Sequence, residues 1–210
     1  MLKKTLFICL LFISSVSFAN LGGASKNNVM ESKTKLDTAV FGGGCFWCIE
    51  AVFEQIKGVE KVISGYAGGT SKNPTYEQVC TGATGHAEVC MIIYNPEIIS
   101  YPELLLIFFT SHDPTTLNRQ GADAGTQYRS AIFYFDEKQK TQAETAIKML
   151  SEKKIYGNPI VTQLVPYTTF YEAENYHQNY YANNSEKGYC TVVINPKLAK
   201  IRANFSKYLK

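Results

Sequence analysis

The sequence predicts an α+β fold of the ferredoxin-like kind, a two-layer sandwich with a split β-α-β core, extra helices and a C-terminal tail that wraps the core. Three observations lead to this fold class. The apolar patterns after residue 36 run strand, helix, strand, strand, helix, strand. Hydrophobic residues make up 45% of the chain and charged residues 19%, enough apolar side chain for a sizeable core. The 210 residues contain no internal repeat, so one domain is expected.

The first strand is predicted in LDTAVFGGG, which runs into a glycine turn. After the turn, apolar residues recur at spacings of three, four and three, on one face of a helix: Phe46, Ile49, Phe53 and Ile56. Gly58 can end this helix. Cys45 therefore lies at or just before a helix N-terminus.

Two strands are predicted next, in VEKVISGYAGG and HAEVCMIIYNP, with a turn-rich stretch between them. A mostly buried helix in YPELLLIFFTSHD has Pro102 in its first turn, and RSAIFYF is a strand that completes the core. An amphipathic helix in DEKQKTQAETAIKMLSEKKIYG, ended by Gly157, and a strand in PIVTQLVP are additions to that core. The tyrosine-rich tail is expected to wrap it.

Residues 1–19 are predicted to be a secretory signal peptide, with Lys3 and Lys4 at its start, an apolar run, and cleavage after Ala19. The apolar run is short for a helix that spans a bilayer, which disfavours the alternative of a retained anchor. Residues 20–36 predict a flexible lead, and residues 37–210 a single domain. We expect the protein to be periplasmic or secreted, without stable membrane contact after cleavage.

Charge and cysteine content narrow the class of protein. Lysine and arginine total 21 against 18 acidic residues, and cleavage removes Lys3 and Lys4, leaving 19 against 18, a net charge of +1. This balance gives no indication of a nucleic-acid partner, and we expect a monomer. Cleavage also removes Cys9 from the six cysteines, and an odd number of thiols in an oxidising compartment calls for a reason.

The stretch FGGGCFWC carries the strongest chemical signal. A thiol is nucleophilic as a thiolate, and the positive end of a helix lowers a thiol pKa from its free value of about 8.5. This favours Cys45 as the nucleophile, with Cys48 one turn further and within its reach. The glycines up to Gly44 let the backbone come close to a ligand.

Two other uses of this cysteine pair are considered. A zinc site would need a second closely spaced pair of cysteine or histidine ligands, which the chain lacks, so no metal is expected. A thiol-disulfide exchange oxidoreductase would also place Cys-x-x-Cys at a helix start. The bulky Phe46 and Trp47 between the cysteines instead favour the wall of a small-ligand pocket.

Two later segments place polar side chains at loop-to-strand junctions, where they can converge on a site carried by the sheet. The candidates are Tyr76, His86 and Glu88 in the first, and Asp113, Asp123, Tyr128 and Arg129 in the second. Each residue alone is weak support, since isolated polar residues are usually solvated.

The sequence contains, in order, the motifs GGGCFWC, GYAGG, NPTY, TGHAEV, HDPTT, GTQYRSAIFY, FYEAENYHQNYY and GYC. Taken together, these motifs resemble one family, the A-type peptide methionine sulfoxide reductases. The resemblance runs in order from about residue 39 to residue 202. It implies an enzyme that reduces methionine-S-sulfoxide, free and in proteins. The alternatives are thiol-disulfide exchange and a non-catalytic module that binds oxidised or Met-rich segments.

The resemblance implies roles for the polar residues. Cys45 would attack the sulfoxide sulfur and become a sulfenic acid. Glu88 would give a proton to the oxygen, which requires surroundings that raise its pKa. Tyr76 and Tyr128 match phenols that bond the same oxygen, and Asp123 matches a carboxylate lining the site.

Apolar residues complete the implied site. Phe46 and Trp47 would hold the S-methyl group, beside the backbone of Gly44. His177 matches a histidine near the site and can orient its neighbours, although a simple hydrogen-bonded histidine is equally expected.

A second thiol must capture the sulfenic acid, and an external dithiol such as thioredoxin or dithiothreitol would then reduce the disulfide, with no prosthetic cofactor. Cys190 matches the family's C-terminal resolving cysteine, and we expect it to act first. Cys48 is the alternative, directly or as a relay. Cys80 and Cys90 are expected to be packing residues, with a disulfide between them as the less favoured outcome.

Two of the remaining candidates are expected to support the site or the fold without reacting. His86 lies on the same strand face as Glu88 and could support the acid. Asp113, before Pro114, is expected to fix a helix end or turn.

Overall fold

The computed structural model describes residues 35–210. The predicted signal peptide lies outside the described residues, as does nearly all of the predicted lead. The strands are β1 Asp37–Gly43, β2 Val59–Ala67, β3 Ala87–Tyr94, β4 Arg119–Gln120, β5 Asp123–Ala124, β6 Ser130–Tyr134, β7 Gln163–Pro166 and β8 Phe170–Glu172. The α-helices are α1 Phe46–Glu54, α2 Tyr76–Cys80, α3 Tyr101–Ser111, α4 Glu137–Glu152, α5 Tyr180–Asn184 and α6 Asn195–Asn204.

The sheet has the order β7-β6-β1-β3-β2-β8. The central strands β6, β1, β3 and β2 pair with one another in antiparallel fashion, with α1 between β1 and β2 and α3 between β3 and β6 along the chain. This is the split β-α-β arrangement, so the ferredoxin-like prediction is confirmed. β7 extends the sheet parallel to β6, and β8 pairs with the other edge at β2.

The main core lies between the sheet and the helices. Phe41 of β1 stacks on Phe108 of α3 at 4.8 Å between ring centroids and contacts Phe53 of α1 at 5.8 Å. All three are at most 1% exposed, and truncating one such aromatic side chain typically costs about 3–5 kcal/mol. A smaller apolar cluster that includes Val40 and Phe133 lies apart from this core. Side chains on both faces of β1 are therefore buried.

Capping residues explain where the helices begin. Ser100 and Glu103 form a capping box at α3, with Pro102 in the first turn as predicted. The sequence analysis missed α2, which spans only five residues inside the turn-rich stretch. Its signal was a second capping box, Thr75 with Gln78.

The tail after β7 wraps the core as predicted. The Gln178 side chain accepts from the Ser64 N–H at 3.0 Å and donates to the Ser64 carbonyl at 2.9 Å, as a strand would. α6 packs against α1 and α3, and the N–H of Lys210 donates to the Gln55 carbonyl at 2.9 Å. Within residues 35–210, no helix combines the length and apolar character that crossing a membrane requires.

Candidate active site

Cys45 lies at the junction between β1 and α1. Gly43 ends β1, Gly44 turns the chain with φ +94°, and Cys45 is the N-cap residue of α1. A Cβ atom on Gly44 would lie 2.6 Å from Cγ of Gln120, so glycine suits both the backbone conformation and the space. Cys45 is 7% exposed, which leaves its side chain only a small opening to solvent.

Cys48 lies one helical turn beyond Cys45, close enough for the two thiols to influence each other's protonation. The Cys45 thiol lowers the pKa of Cys48 to about 7, against the effect of burial. Burial, aided by Cys48 and the Glu88 charge, raises the pKa of Cys45 well above its ordinary value. The pair therefore carries its first negative charge on Cys48. The lowered pKa that the helix N-terminus predicts for Cys45 is therefore wrong, because burial outweighs the effect of the helix.

Glu88 lies on β3, beside the start of α1. Its Oε2 atom accepts a hydrogen bond from the Phe46 N–H at 3.0 Å. The side chain is buried, and burial raises its pKa to about 8, more than the Phe46 bond lowers it. At pH 7 most of the Glu88 carboxyl is therefore protonated, which is the state that a proton donor needs.

Two phenols lie near Glu88. Tyr76 begins α2, and Tyr128 ends a turn of 3-10 helix, Thr126–Tyr128. Burial, together with charges that include Glu88, raises the pKa of both phenols. Both therefore stay protonated and can donate a hydrogen bond to a ligand oxygen.

Tyr189 belongs to this site, although the sequence analysis did not single it out. Its hydroxyl donates to Oδ2 of Asp123 at 2.7 Å and lies 3.8 Å from Sγ of Cys48. Asp123 is thus connected to the thiols through Tyr189. The available signal was the position of Tyr189 inside the GYC motif, directly before Cys190.

Trp47 is fixed by aromatic neighbours from the tail. Its Nε1–H donates to Nδ1 of His177 at 3.1 Å, and its ring stacks on Tyr180 with a centroid distance of 3.6 Å and an angle of 5°. Because Nδ1 accepts this bond, the neutral His177 ring carries its proton on Nε2. Burial lowers the pKa of His177, which favours that neutral form. The ring centroids of Phe46 and Trp47 are 6.2 Å apart. The two aromatic side chains therefore form an apolar surface next to Cys45.

Glu174 is a second residue that sequence reasoning missed. Its Oε1 atom accepts from the Tyr76 N–H at 2.8 Å, and its Oε2 atom accepts from the Tyr66 hydroxyl at 2.8 Å. Burial acts to raise the pKa of Glu174, but these bonds lower it overall, so the residue is a carboxylate at neutral pH. It holds the start of α2, and with it Tyr76, against the sheet.

The model of the peptide methionine sulfoxide reductase family matches residues 37–209. The chain belongs to this family. A peptide methionine sulfoxide reductase from Chromobacterium violaceum is 55% identical over 175 residues, 83% of this chain and 99% of the relative. One from Deinococcus radiodurans is 50% identical over 197 residues, 90% of this chain and 96% of the relative.

A solved structure supports the same family. The crystal structure of Mxr1 from Saccharomyces cerevisiae in reduced form matches 76% of this chain and 91% of its own chain, at 35% identity and a TM-score of 0.68. The predicted family is therefore confirmed. The class of reaction, reduction of methionine sulfoxide in peptides, follows from the family.

The other cysteines of this reductase occupy different environments. Cys190 is fully buried in a π-helical turn, Cys190–Ile194, and Cys90 is fully buried on β3, as predicted. Cys80 is exposed at the end of α2, so its prediction as a packing residue is wrong. All five cysteines within residues 35–210 are free thiols, and Cys80 and Cys90 are not joined.

Two polar residues of the reductase hold loops. The His86 ring accepts from the Gly69 N–H at 3.1 Å and bonds the Ser71 carbonyl at 2.8 Å, so it supports this loop rather than the acid as predicted. Asp113 accepts from the Thr115 N–H at 2.9 Å, which confirms its predicted role in a turn. Across residues 35–210, His, Cys, Asp and Glu side chains form no group of three suited to a metal ion.

Proposed function

We propose that this reductase acts on methionine-S-sulfoxide, free and in proteins, through a Cys45 sulfenic acid and an intramolecular disulfide that a thioredoxin-like dithiol reduces. The observation that carries the proposal is Glu88, a buried carboxyl with a pKa of about 8 at the N-terminus of the helix that begins after the nucleophile. A neutral acid at that place can protonate a bound group.

The site offers different walls to the two substituents on the substrate sulfur. The sulfoxide oxygen would accept hydrogen bonds from the Glu88 carboxyl and the Tyr76 and Tyr128 hydroxyls. The S-methyl group would lie on the apolar surface of Phe46 and Trp47. This pairing of donors and apolar surface suits a methyl sulfoxide, which has one strong acceptor and one apolar group on the same sulfur.

Cys48 would activate the nucleophile. Burial keeps the proton on Cys45, while Cys48 carries the charge of the pair near neutral pH. As the sulfoxide sulfur approaches, the Cys45 proton would pass to the neighbouring Cys48 thiolate. This leaves a thiolate on Cys45 at the time of attack.

The reaction then balances in two steps. The Cys45 thiolate attacks the sulfoxide sulfur and Glu88 protonates the oxygen, which passes as hydroxyl to the Cys45 sulfur while methionine leaves. The substrate sulfur gains two electrons and Cys45 loses two. The Cys48 sulfur then attacks the sulfenic sulfur, an S–S bond forms, and the hydroxyl leaves with the Cys48 proton as water. An external dithiol restores both thiols and itself becomes a disulfide.

We place Cys48 before Cys190 as the resolving thiol, in the reverse of the order expected from sequence. Cys48 lies one helical turn from Cys45, and the two thiols influence each other's pKa, whereas Cys190 is fully buried in a π-helical turn and would need that turn to open. Burial raises the pKa of Cys190, and the Cys48 charge raises it further, so the two thiols interact electrostatically. We propose that the disulfide is relayed from Cys48 to Cys190. The external dithiol would then reduce a disulfide at Cys190 in the C-terminal tail, and it would not need to enter the substrate pocket.

The activity is tested by following single epimers of methionine sulfoxide with dithiothreitol, using the wild type, Cys45→Ser and Cys80→Ser as the matched control. We expect turnover of the S epimer in the wild type and in Cys80→Ser, and none in Cys45→Ser. Turnover that persists without Cys45 would refute its role. Reduction of insulin disulfides without any loss of sulfoxide would establish thiol-disulfide exchange instead.

We further propose export of the protein, which rests on the N-terminal sequence alone. The expected result is a mature chain that begins at Asn20 and is recovered outside the cytoplasm, checked by N-terminal sequencing of the fractionated protein. An intact Met1 in a cytoplasmic fraction would contradict it.

A further inference from the structure

Glu50 is a buried carboxyl that the proposed reaction does not use. It lies on α1 two residues after Cys48 and is 1% exposed. Among the carboxylates of residues 35–210, only Glu88 is buried to the same degree. In that part of the chain no lysine, arginine or histidine forms an ion pair with Glu50. Such a group needs strong hydrogen-bond donors in place of a cation.

Donors from the tail and from β2 surround both oxygens of Glu50. Oε1 accepts from the Asn179 N–H at 3.0 Å and from the Ser64 hydroxyl at 3.1 Å, and Oε2 accepts from the Tyr180 N–H at 3.0 Å. Asn179 has a φ of 52°, in the left-handed region, which asparagine adopts more readily than other residues with a side chain but still less readily than the right-handed region. The bonds to Glu50 therefore hold a turn that the backbone alone disfavours.

The residue that follows this turn forms the outer support of Trp47. Because the Tyr180 N–H is bonded to Glu50, the start of α5 is fixed, and with it the Tyr180 ring that stacks on the indole. The Trp47 Nε1–H donates a hydrogen bond to His177, and the face of the Trp47 ring stacks on Tyr180. Of these two supports, the Tyr180 ring depends directly on the Glu50 anchor.

We propose that Glu50 is a positioning residue for the methyl pocket: its carboxylate fixes Asn179 and Tyr180, so that Tyr180 keeps the Trp47 ring in place for the substrate methyl group. The inference rests on the proposed function, because it takes Trp47 as a wall of the pocket. It differs from that function in assigning substrate affinity to a side chain that does not touch the substrate.

The anchor has a defined pH dependence. Burial raises the pKa of Glu50 to about 7, more than its hydrogen bonds lower it. The titratable groups that face it are Glu54 on α1 and Cys90 on β3, 3.9 Å from the Ser64 hydroxyl, and the tail contributes neutral donors. A protonated Glu50 is a weaker hydrogen-bond acceptor. Its own carboxyl proton would also point at groups that donate hydrogen bonds to it. The anchor is therefore complete above about pH 7 and weakens below it.

The single tryptophan makes this testable, because fluorescence of the chain's only indole reports on Trp47 directly. The measurement uses a Cys45→Ser/Cys48→Ser background, in which neither active-site thiol titrates. We expect a fluorescence transition near pH 7 that Glu50→Gln abolishes. Glu54→Gln, the matched control four residues along the same helix, should keep it. The same profile in all three proteins would overturn the proposal.

Kinetics in the chain with both thiols give the second readout. With Glu50→Gln, the KM for methionine sulfoxide at pH 8 should rise about two- to tenfold, the loss expected for one aromatic pair, with the single-turnover rate at saturation within about twofold of wild type. Tyr180→Ala, which removes the ring and leaves Glu50 intact, should raise KM similarly, and the double variant no further. Additive effects would overturn the proposal, and a KM unchanged in Tyr180→Ala would overturn it even if Glu50→Gln did not fold.

The two proposals fail in different ways. Absence of sulfoxide turnover in the wild type would refute the proposed function, while the fluorescence transition could still be measured. Normal wild-type turnover with an unchanged fluorescence profile in Glu50→Gln would refute the positioning role alone.

Discussion

Replacement of Glu88 by glutamine should slow catalysis and stabilise the protein at the same time. The amide has the shape of a protonated carboxyl, and its oxygen can still accept from the Phe46 N–H, but it holds no acidic proton. In the wild type, burial raises the Glu88 pKa from 4.5 to about 8. Between these values the folded state binds more protons than the unfolded state, so stability falls as the pH rises. At 1.36 kcal/mol for each unit of pKa, the cost at pH 7 is about 3 kcal/mol.

Glu88→Gln removes this cost. We expect its free energy of unfolding to exceed that of wild type by about 3 kcal/mol at pH 7 and to match it near pH 4.5. Urea unfolding followed by Trp47 fluorescence across this window measures the difference, with Glu144→Gln on the exposed face of α4 as control. The single-turnover rate should fall by about 10²–10⁴. A stability difference that does not grow with pH would mean that Glu88 is not a neutral acid in the folded protein, and the proton-donor argument would fail.

Further outcomes follow from the thiol pair and its surroundings. After one turnover without reductant, mass mapping should find a Cys45–Cys48 disulfide in Cys190→Ser, and finding none would refute Cys48 as first partner. Tyr189→Phe removes a hydroxyl that lowers the pKa of Cys48, so thiolate absorbance should titrate at higher pH than in wild type, and an unchanged midpoint would exclude that contact. Gly44→Ala should cost about 1–3 kcal/mol in urea unfolding because of its positive φ, and an unchanged midpoint would contradict that strain.

Local patterns predicted the central fold because they are strong there. The helix face that begins at Phe46 repeats over several turns, the strand around Cys90 is a continuous apolar run, and glycine turns separate them. α2 has one turn and a half, too short for periodicity, and only its capping residues Thr75 and Gln78 mark it. β8 is a three-residue strand whose pairing with β2 depends on the path of the whole chain.

The family motifs identified the reacting residues. The residues that hold the site together, however, are bonded to partners far away in the sequence. Glu50 and Tyr180 are 130 residues apart, and Tyr189 and Asp123 are 66 apart. No local pattern links such partners, because each bond depends on how the tail returns over α1. The direction of the Cys45 pKa shift was missed for the same reason. The helix N-terminus is visible in the sequence, whereas burial is a property of the assembled site.

Burial creates opposite demands on the two reacting groups, and Cys48 reconciles them. Removing water from Glu88 keeps its carboxyl neutral, which suits a proton donor, but the same burial keeps the proton on Cys45, which does not suit a nucleophile. A lysine or arginine that stabilised a Cys45 thiolate would also stabilise the Glu88 carboxylate and weaken the acid. A neighbouring thiolate avoids this, because it can receive the Cys45 proton and become a neutral thiol, with no positive charge added. Cys48→Ser should therefore slow the first chemical step as well as disulfide formation, and a burst of methionine at the wild-type rate would show that Cys48 acts only afterwards.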